Sequence, residues 1–238
     1  MNVGVIVFAR MQSSRLPGKA LAPLGDRPLV GRVLDRANRV REACGVVLAT
    51  STDSSDDPLA DFAQSEGVSV HRGSLDNVAL RAVECASEHG WTAFARVCGD
   101  RPFFEPGDTD RAIARLAECA GRGIDLVSSK LSGPVPPGLT TEVVRTAALE
   151  QTLRRTTEPQ DLEHVTRYLY AHPEDFRLMG IRVTGMGESL RLVVDTREDL
   201  RRARYIIGHL SDPAEASLTE IAVLARAWER EATERCDA

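Results

Sequence analysis

Residues 9–19 read ARMQSSRLPGK and set three cations, Arg10, Arg15 and Lys19, within ten positions. Ser13 and Ser14 add hydroxyls, Pro17 stiffens the turn, and Gly18 permits a close backbone approach. An arginine fork grips phosphate oxygens and a lysine supplies a compact charge, so the loop suits a polyphosphate. The alternative is a solvated basic loop. Neither the GxxxxGK[ST] phosphate loop nor the GxGxxG dinucleotide fingerprint is present. Lys19 and Lys130 are the only lysines among 30 basic residues, which sets a lysine beside Pro17 and Gly18 apart.

The loop follows Val3–Phe8, a short β-branched run bounded by polar residues, which predicts a buried strand. Helical spacing then recurs from Leu29 to Val40, at Pro58–Glu66, from Leu75 to Ala86 with Ser74 as its N-cap, and at Asp108–Gly121. Strands are expected between these helices at Val46–Ala49, Val68–His71, Ala93–Cys98 and Ile124–Ser128. Strict alternation implies right-handed crossovers and an α/β fold: a mostly parallel sheet with helices on both faces. The second half is less regular. Lys130–Gly138 is a loop, Thr140–Val144 a strand, and Ala147–Arg154 and Asp161–Ala171 helices. Strands at Phe176–Val183 and Leu190–Val194 and helices at Glu198–His209 and Leu218–Glu231 close the chain. The reading is one domain, 1–238, with 129–183 as an inserted lobe. Ligands of open parallel sheets bind beyond the carboxyl ends of the strands. That singles out the loops Ala9–Lys19, Ser51–Asp57, Gly99–Pro106 and Asp195–Thr196. Asp53, Asp56 and Asp57 read as a helix N-terminus favoured by the dipole.

Composition narrows the partners. Thirty basic against 35 acidic residues leave a formal charge of −5 on 238 residues, which argues against a nucleic-acid or anionic-membrane binder. No apolar run approaches the ~18 residues of a membrane span. MNVGVIVFAR lacks a basic leader region and a small-residue cleavage site, so it reads as a strand rather than a signal peptide. The cysteines Cys44, Cys85, Cys98, Cys119 and Cys236 are odd in number and scattered, as expected of core thiols in a reducing cytoplasm.

The run VIVFARMQSSRLPGKALAPLGDRPLVGRVLDRA closely resembles the opening of the cytidylyltransferase superfamily, most nearly the SpsF-type spore-coat polysaccharide nucleotidyltransferases. Their signature is approximately ARMGSTRLPGK. The 3-deoxy-manno-octulosonate cytidylyltransferases and CMP-sialic acid synthetases are more distant relatives. Further blocks follow in order. ATSTDSSDDPLADFAQSEGVSVHRGSLDNV resembles the second-strand region with its nucleoside-side RG segment, and RVCGDRPFF resembles RVTGDCPLI. PPGLTTEVV resembles PDGLDVEVF, DLEHVTRYL resembles DREHVTPYI, and LRLVVDTREDL resembles LRLTVDTPEDL. Phe8, Gln12, Arg101, Thr140 and Arg197 depart from the pattern, and Arg101 stands where relatives carry a small or acidic residue.

The resemblance implies a Rossmann-like fold of the nucleotide-diphospho-sugar transferase type. It implies transfer of CMP from CTP to an acceptor oxygen, release of pyrophosphate and a requirement for Mg²⁺. The acceptor would be a small anion: a sugar, sugar phosphate or phosphonate. CTP against GTP stays open, because the base contacts are largely main-chain. Carried over residue by residue, Arg15 and Lys19 serve the β- and γ-phosphates as catalytic cations. Arg10 lies nearer the α-phosphate or base, and Ser13 donates to a phosphate oxygen. Phe8, Ala9 and Arg72 meet the base, with Ala79 nearby and Cys98 on the sheet edge. Asp100 and Asp195 hold the metal, although Asp195 or Thr196 could instead cap the following helix. Gly138, Glu142, Glu163 and His164 line the acceptor pocket, and 129–183 serves acceptor binding and homodimerisation. Two other readings are a GT-A type glycosyltransferase and a non-catalytic nucleotide-binding homologue. The first needs a DxD motif, and the corresponding GDR lacks its second acid.

Overall fold

Val3–Phe8 forms β1, buried on both faces as its unbroken apolar run requires. The computed structural model describes residues 1–185, 187 and 189–236. After a 3-10 turn at Lys19–Leu21 come a small hairpin, β2 (Pro23–Leu24) and β3 (Arg27–Pro28), and then α1 (Leu29–Ala37). Next are β4 (Val46–Ser51), α2 (Asp57–Ser65), β5 (Ser69–Gly73), α3 (Val78–Glu88), β6 (Ala93–Cys98) and α4 (Pro106–Glu118). The second half holds β7 (Leu126–Ser128), β8 (Glu142–Arg145), α5 (Thr146–Arg155), α6 (Pro159–Glu163) and α7 (Arg167–Ala171). β9 (Leu178–Gly180), α8 (Arg197–His209) and α9 (Leu218–Cys236) complete it.

Seven strands form one sheet in the order β5-β4-β1-β6-β8-β7-β9. All its neighbours pair in parallel except β8, which runs against both β6 and β7. Alternate residues of β1 feed the two faces. Val3, Val5 and Val7 pack with α1, α2 and α4. Ile6 packs with α3, α5 and α7. A third apolar cluster joins Leu24, Leu29 and Phe103 to α8 and α9. Phe8 is in register with Ala49 and Cys98, so the carboxyl ends of β1, β4 and β6 lie side by side and aim their loops at one edge.

Several expectations change. Residues 129–183 supply β8 and β9 to the main sheet, so they are threaded through it rather than set apart from it. Leu190–Val194 is no strand. It alternates inward residues as a strand does, but its bonds are to loops: Leu192 N–H to Pro137 O at 2.7 Å and Val194 N–H to Asp100 O at 2.9 Å. The helix expected over 161–171 breaks into α6 and α7, with His164 at the break in a non-helical conformation. The N-cap of α3 is Asn77, which accepts from Leu80 N–H at 2.8 Å, while Ser74 accepts from Asn77 N–H. Among the described residues no helix is long and apolar enough to cross a membrane. Cys44, Cys85, Cys98 and Cys119 are free thiols.

Candidate active site at the carboxyl edge of the sheet

The cationic loop leaves β1 at Phe8 and is closed on itself by the Gly18 N–H to Met11 O bond, 2.9 Å long. Gly18 has φ +72°, the left-handed region that a side chain at this turn would strain. Asp56 anchors the loop. Its fully buried carboxylate accepts from Met11 N–H at 2.6 Å through one oxygen and from Ser51 N–H and Oγ–H through the other. Of the 53–57 acids, Asp53 caps a short 3-10 turn, Ser54–Asp56, through Ser55 N–H, and Asp57 stands in the first turn of α2 as the dipole reading expects, whereas the Asp56 carboxylate is turned to the loop. Gly99 permits the β1 and β6 loops to touch, since a Cβ there would lie 2.7 Å from that of Ala9.

Lys19 lies on the 3-10 turn, and its side chain is only 14% exposed, which sets it apart from the solvated-loop alternative. Its ammonium donates to Asp100 Oδ2 at 2.9 Å, Asp195 Oδ1 at 3.0 Å and Val194 O at 2.9 Å. Arg15 reaches the same Asp195 oxygen at 3.0 Å. Thr196, not Asp195, caps α8: its hydroxyl accepts from Asp199 N–H in a reciprocal capping box. Asp199 then accepts from the Asp195 and Thr196 N–H groups and from Arg191, which aims Asp195 at the site. Burial alone raises the Asp199 carboxyl, yet the Arg191 guanidinium and these amides outweigh it and hold it at about 2. Asp100 and Asp195 thus present carboxylate oxygens to one cation beside a main-chain carbonyl. That all-oxygen donor set is the kind Mg²⁺ takes together with substrate phosphates, so these residues fit the ion.

Around this centre lies a cavity of about 370 Å³. Phe8, Ala9, Arg10, Ser13, Arg15, Lys19, Cys98, Asp100, Glu163, His164 and Asp195 line it, so eleven of the expected residues converge. Arg10 and Glu163 pair across it at 2.8 Å, joining the cationic loop to α6.

Four expected residues do not join them. Arg72 is spent on the turn after β4, bonding Ser51 O and Asp53 O at 2.9 Å and Asp57 at 2.7 Å. Ala79 points into the interior, leaving Val78 and Arg81 to face the cavity. Gly138 packs against the Leu192–Val193 backbone, where a Cβ would come within 2.5 Å of Leu192 C. Glu142 is fully buried. The reversal of β8 sets this first residue beside Arg96, and its carboxylate accepts from Arg96 at 2.8 Å, Lys130 and Thr166 at 3.1 Å and Tyr170 at 2.7 Å. Burial pushes that carboxyl up, but the charges of Arg96 and Lys130 and the Tyr170 hydroxyl hold it at about 2.

Sequence reasoning missed Arg81. It is 2% exposed, it lines the cavity, and its Nε and Nη1 have no hydrogen-bond partner. Burial pushes its guanidinium down to about 10. The signal was present, because Arg81 lies three residues after Val78 and four before Cys85, on the inward face of α3. A buried guanidinium with free donors at a cavity wall suits an anionic or carbonyl-bearing ligand.

The family model described as cytidylyltransferase matches residues 4–219. The chain is 32% identical to the spore coat polysaccharide biosynthesis protein SpsF of Bacillus subtilis over 97% of this chain and 96% of that one. It is 40% identical to the 3-deoxy-manno-octulosonate cytidylyltransferase of Geobacter sulfurreducens, over 50% of this chain and 46% of that one. The solved structure of a cytidylyltransferase from Leptospira borgpetersenii superposes with a TM-score of 0.89 at 26% identity, covering 96% of each chain.

Proposed function

The chain belongs to the cytidylyltransferase family, and on that premise we propose that it transfers CMP from CTP to a small anionic acceptor, with Mg²⁺ and with release of pyrophosphate. The observation that carries the reading is the Lys19 ammonium held between Asp100 and Asp195 at the end of a cavity walled by Arg10, Ser13 and Arg15. The acceptor oxygen attacks the α-phosphorus in line, a hydroxyl acceptor losing its proton to water, and the bond from that phosphorus to the oxygen bridging the β-phosphate breaks. Its electron pair leaves with the pyrophosphate. Charge therefore builds on the β- and γ-phosphates, where Arg15 and Lys19 meet it. Arg10 orients the α-phosphate and is itself held by Glu163. Arg81 gives its unpartnered donors to the nucleotide, taking the part expected of Arg72. Asp100 and Asp195 hold Mg²⁺, which when bound offsets the negative charge of the phosphates.

A sugar or sugar-acid acceptor is supported by the relatives, one a spore coat polysaccharide protein and another a 3-deoxy-manno-octulosonate cytidylyltransferase. Homodimerisation through 129–183 and a cytoplasmic location belong to the same proposal. The test is pyrophosphate release with Mg²⁺ from CTP, GTP, ATP and UTP across sugar acids, sugar phosphates and phosphonates. Release from CTP with at least one acceptor is expected. Release from another nucleotide alone would overturn the base assignment, and none over the whole panel would overturn the reaction.

A further inference from the structure

A second cavity of about 370 Å³ adjoins the first and shares Arg96 and His164 with it. Arg101, Lys130, Arg167 and Tyr170 form much of the remaining wall. Four cations thus face one space. Two carboxylates answer them: Glu142, buried and shared by Arg96 and Lys130, and Asp161, paired with Arg167. The balance is a net charge of about +2, counting Glu142 as ionised. Arg101 binds a neutral partner, the Thr140 carbonyl at 2.9 Å, and the buried Nε of Arg96 has no partner.

We propose that this second cavity holds a doubly charged oxyanion of the acceptor, a phosphate or phosphonate group, clamped by Arg101, Lys130 and Arg167. A dianion matches the charge of the cavity, whereas a single carboxylate leaves half of it unanswered. Arginine forks with a lysine are the donor set that tetrahedral oxyanions select. His164 and Arg96, at the boundary, set the acceptor across the two cavities, so that its nucleophilic oxygen meets the nucleotide in the first. The inference rests on the cytidylyl-transfer reading and narrows its acceptor.

The test is calorimetric titration of methyl phosphate, methylphosphonate and acetate into the full chain saturated with CTP and Mg²⁺, which keeps the first cavity filled. At least one dianion should bind ten or more times tighter than acetate, and the better of the two identifies phosphate ester against phosphonate. Arg101→Gln should weaken that binding roughly tenfold, the usual worth of one charge-assisted contact, with CTP affinity unchanged. Arg167→Gln, on a half-exposed side chain whose amide N–H can still donate to Asp161, should do the same, with a melting curve to check the fold. Dianion binding indifferent to both substitutions, or no stronger than acetate, would overturn the inference alone. A parallel loss of CTP affinity in Arg101→Gln would place nucleotide phosphates here and overturn it too. Failure of the wild type to bind CTP would overturn the cytidylyl-transfer reading, and this inference with it.

Discussion

Glu142→Gln removes one charge from the middle of the molecule and leaves the shape almost unchanged. The carboxylate takes Arg96 through one oxygen and Lys130, Thr166 and Tyr170 through the other. A glutamine keeps one acceptor oxygen and turns the other position into an N–H donor. The smaller loss sets that donor against Arg96, whose buried charge is then unanswered. Breaking a buried ion pair from one side costs about 3–5 kcal/mol, a large share of the ~5–15 kcal/mol that holds a domain folded. At about 2–4 °C per kcal/mol for a chain of this size, Tm should fall by roughly 10 °C. The acid limb gives a second reading. A carboxyl held at about 2 instead of its usual 4.5 contributes about 3 kcal/mol at neutral pH. The sign follows from the depression: the stabilisation is complete above about 4.5 and is lost as pH falls toward 2. The gap between wild type and variant should therefore be constant near neutrality and narrow below that point. A thermal melt reads the first, and urea unfolding followed by circular dichroism, at neutral and acid pH and with unchanged m, reads the second. A variant within about 1 kcal/mol of wild type, with the same acid profile, would refute the reasoning.

Two other substitutions separate stability from activity. Arg81→Met replaces a buried guanidinium that lacks partners by an apolar chain, so the unfolding midpoint should hold or rise while CTP affinity falls about tenfold or more; calorimetry beside a melting curve checks it. Lys19→Met should lower turnover by about 10²–10³ through lost charge stabilisation of the leaving pyrophosphate, which steady-state pyrophosphate release would measure.

What the sequence made legible was whatever chemistry is local. ARMQSSRLPGK carries its cations within one loop, and the strand before it delivers them to the sheet edge, so eleven expected residues meet in one cavity. Partnership over distance was not legible. Arg72 looks as available as Arg81 on paper, but the turn after β4 consumes it. Leu190–Val194 has the alternation of a strand, and alternation reports burial of every second side chain without saying whether another strand or a loop takes the backbone bonds. The reversal of β8 likewise left no mark in the apolar pattern. It turns Glu142 from a pocket residue into the buried hub between two cavities.

Whether Asp100 and Asp195 with Lys19 form a centre for metal and triphosphate is decided by CTP binding to Asp195→Asn with and without Mg²⁺. Thr196 already caps α8, so this substitution leaves the helix cap in place, and the asparagine Oδ1 still accepts from Lys19. Mg²⁺ should strengthen CTP binding to the wild type, and Asp195→Asn should stay folded but need far more Mg²⁺ for the same affinity. An Asp195→Asn protein that binds CTP like the wild type, with the same dependence on Mg²⁺, would contradict it.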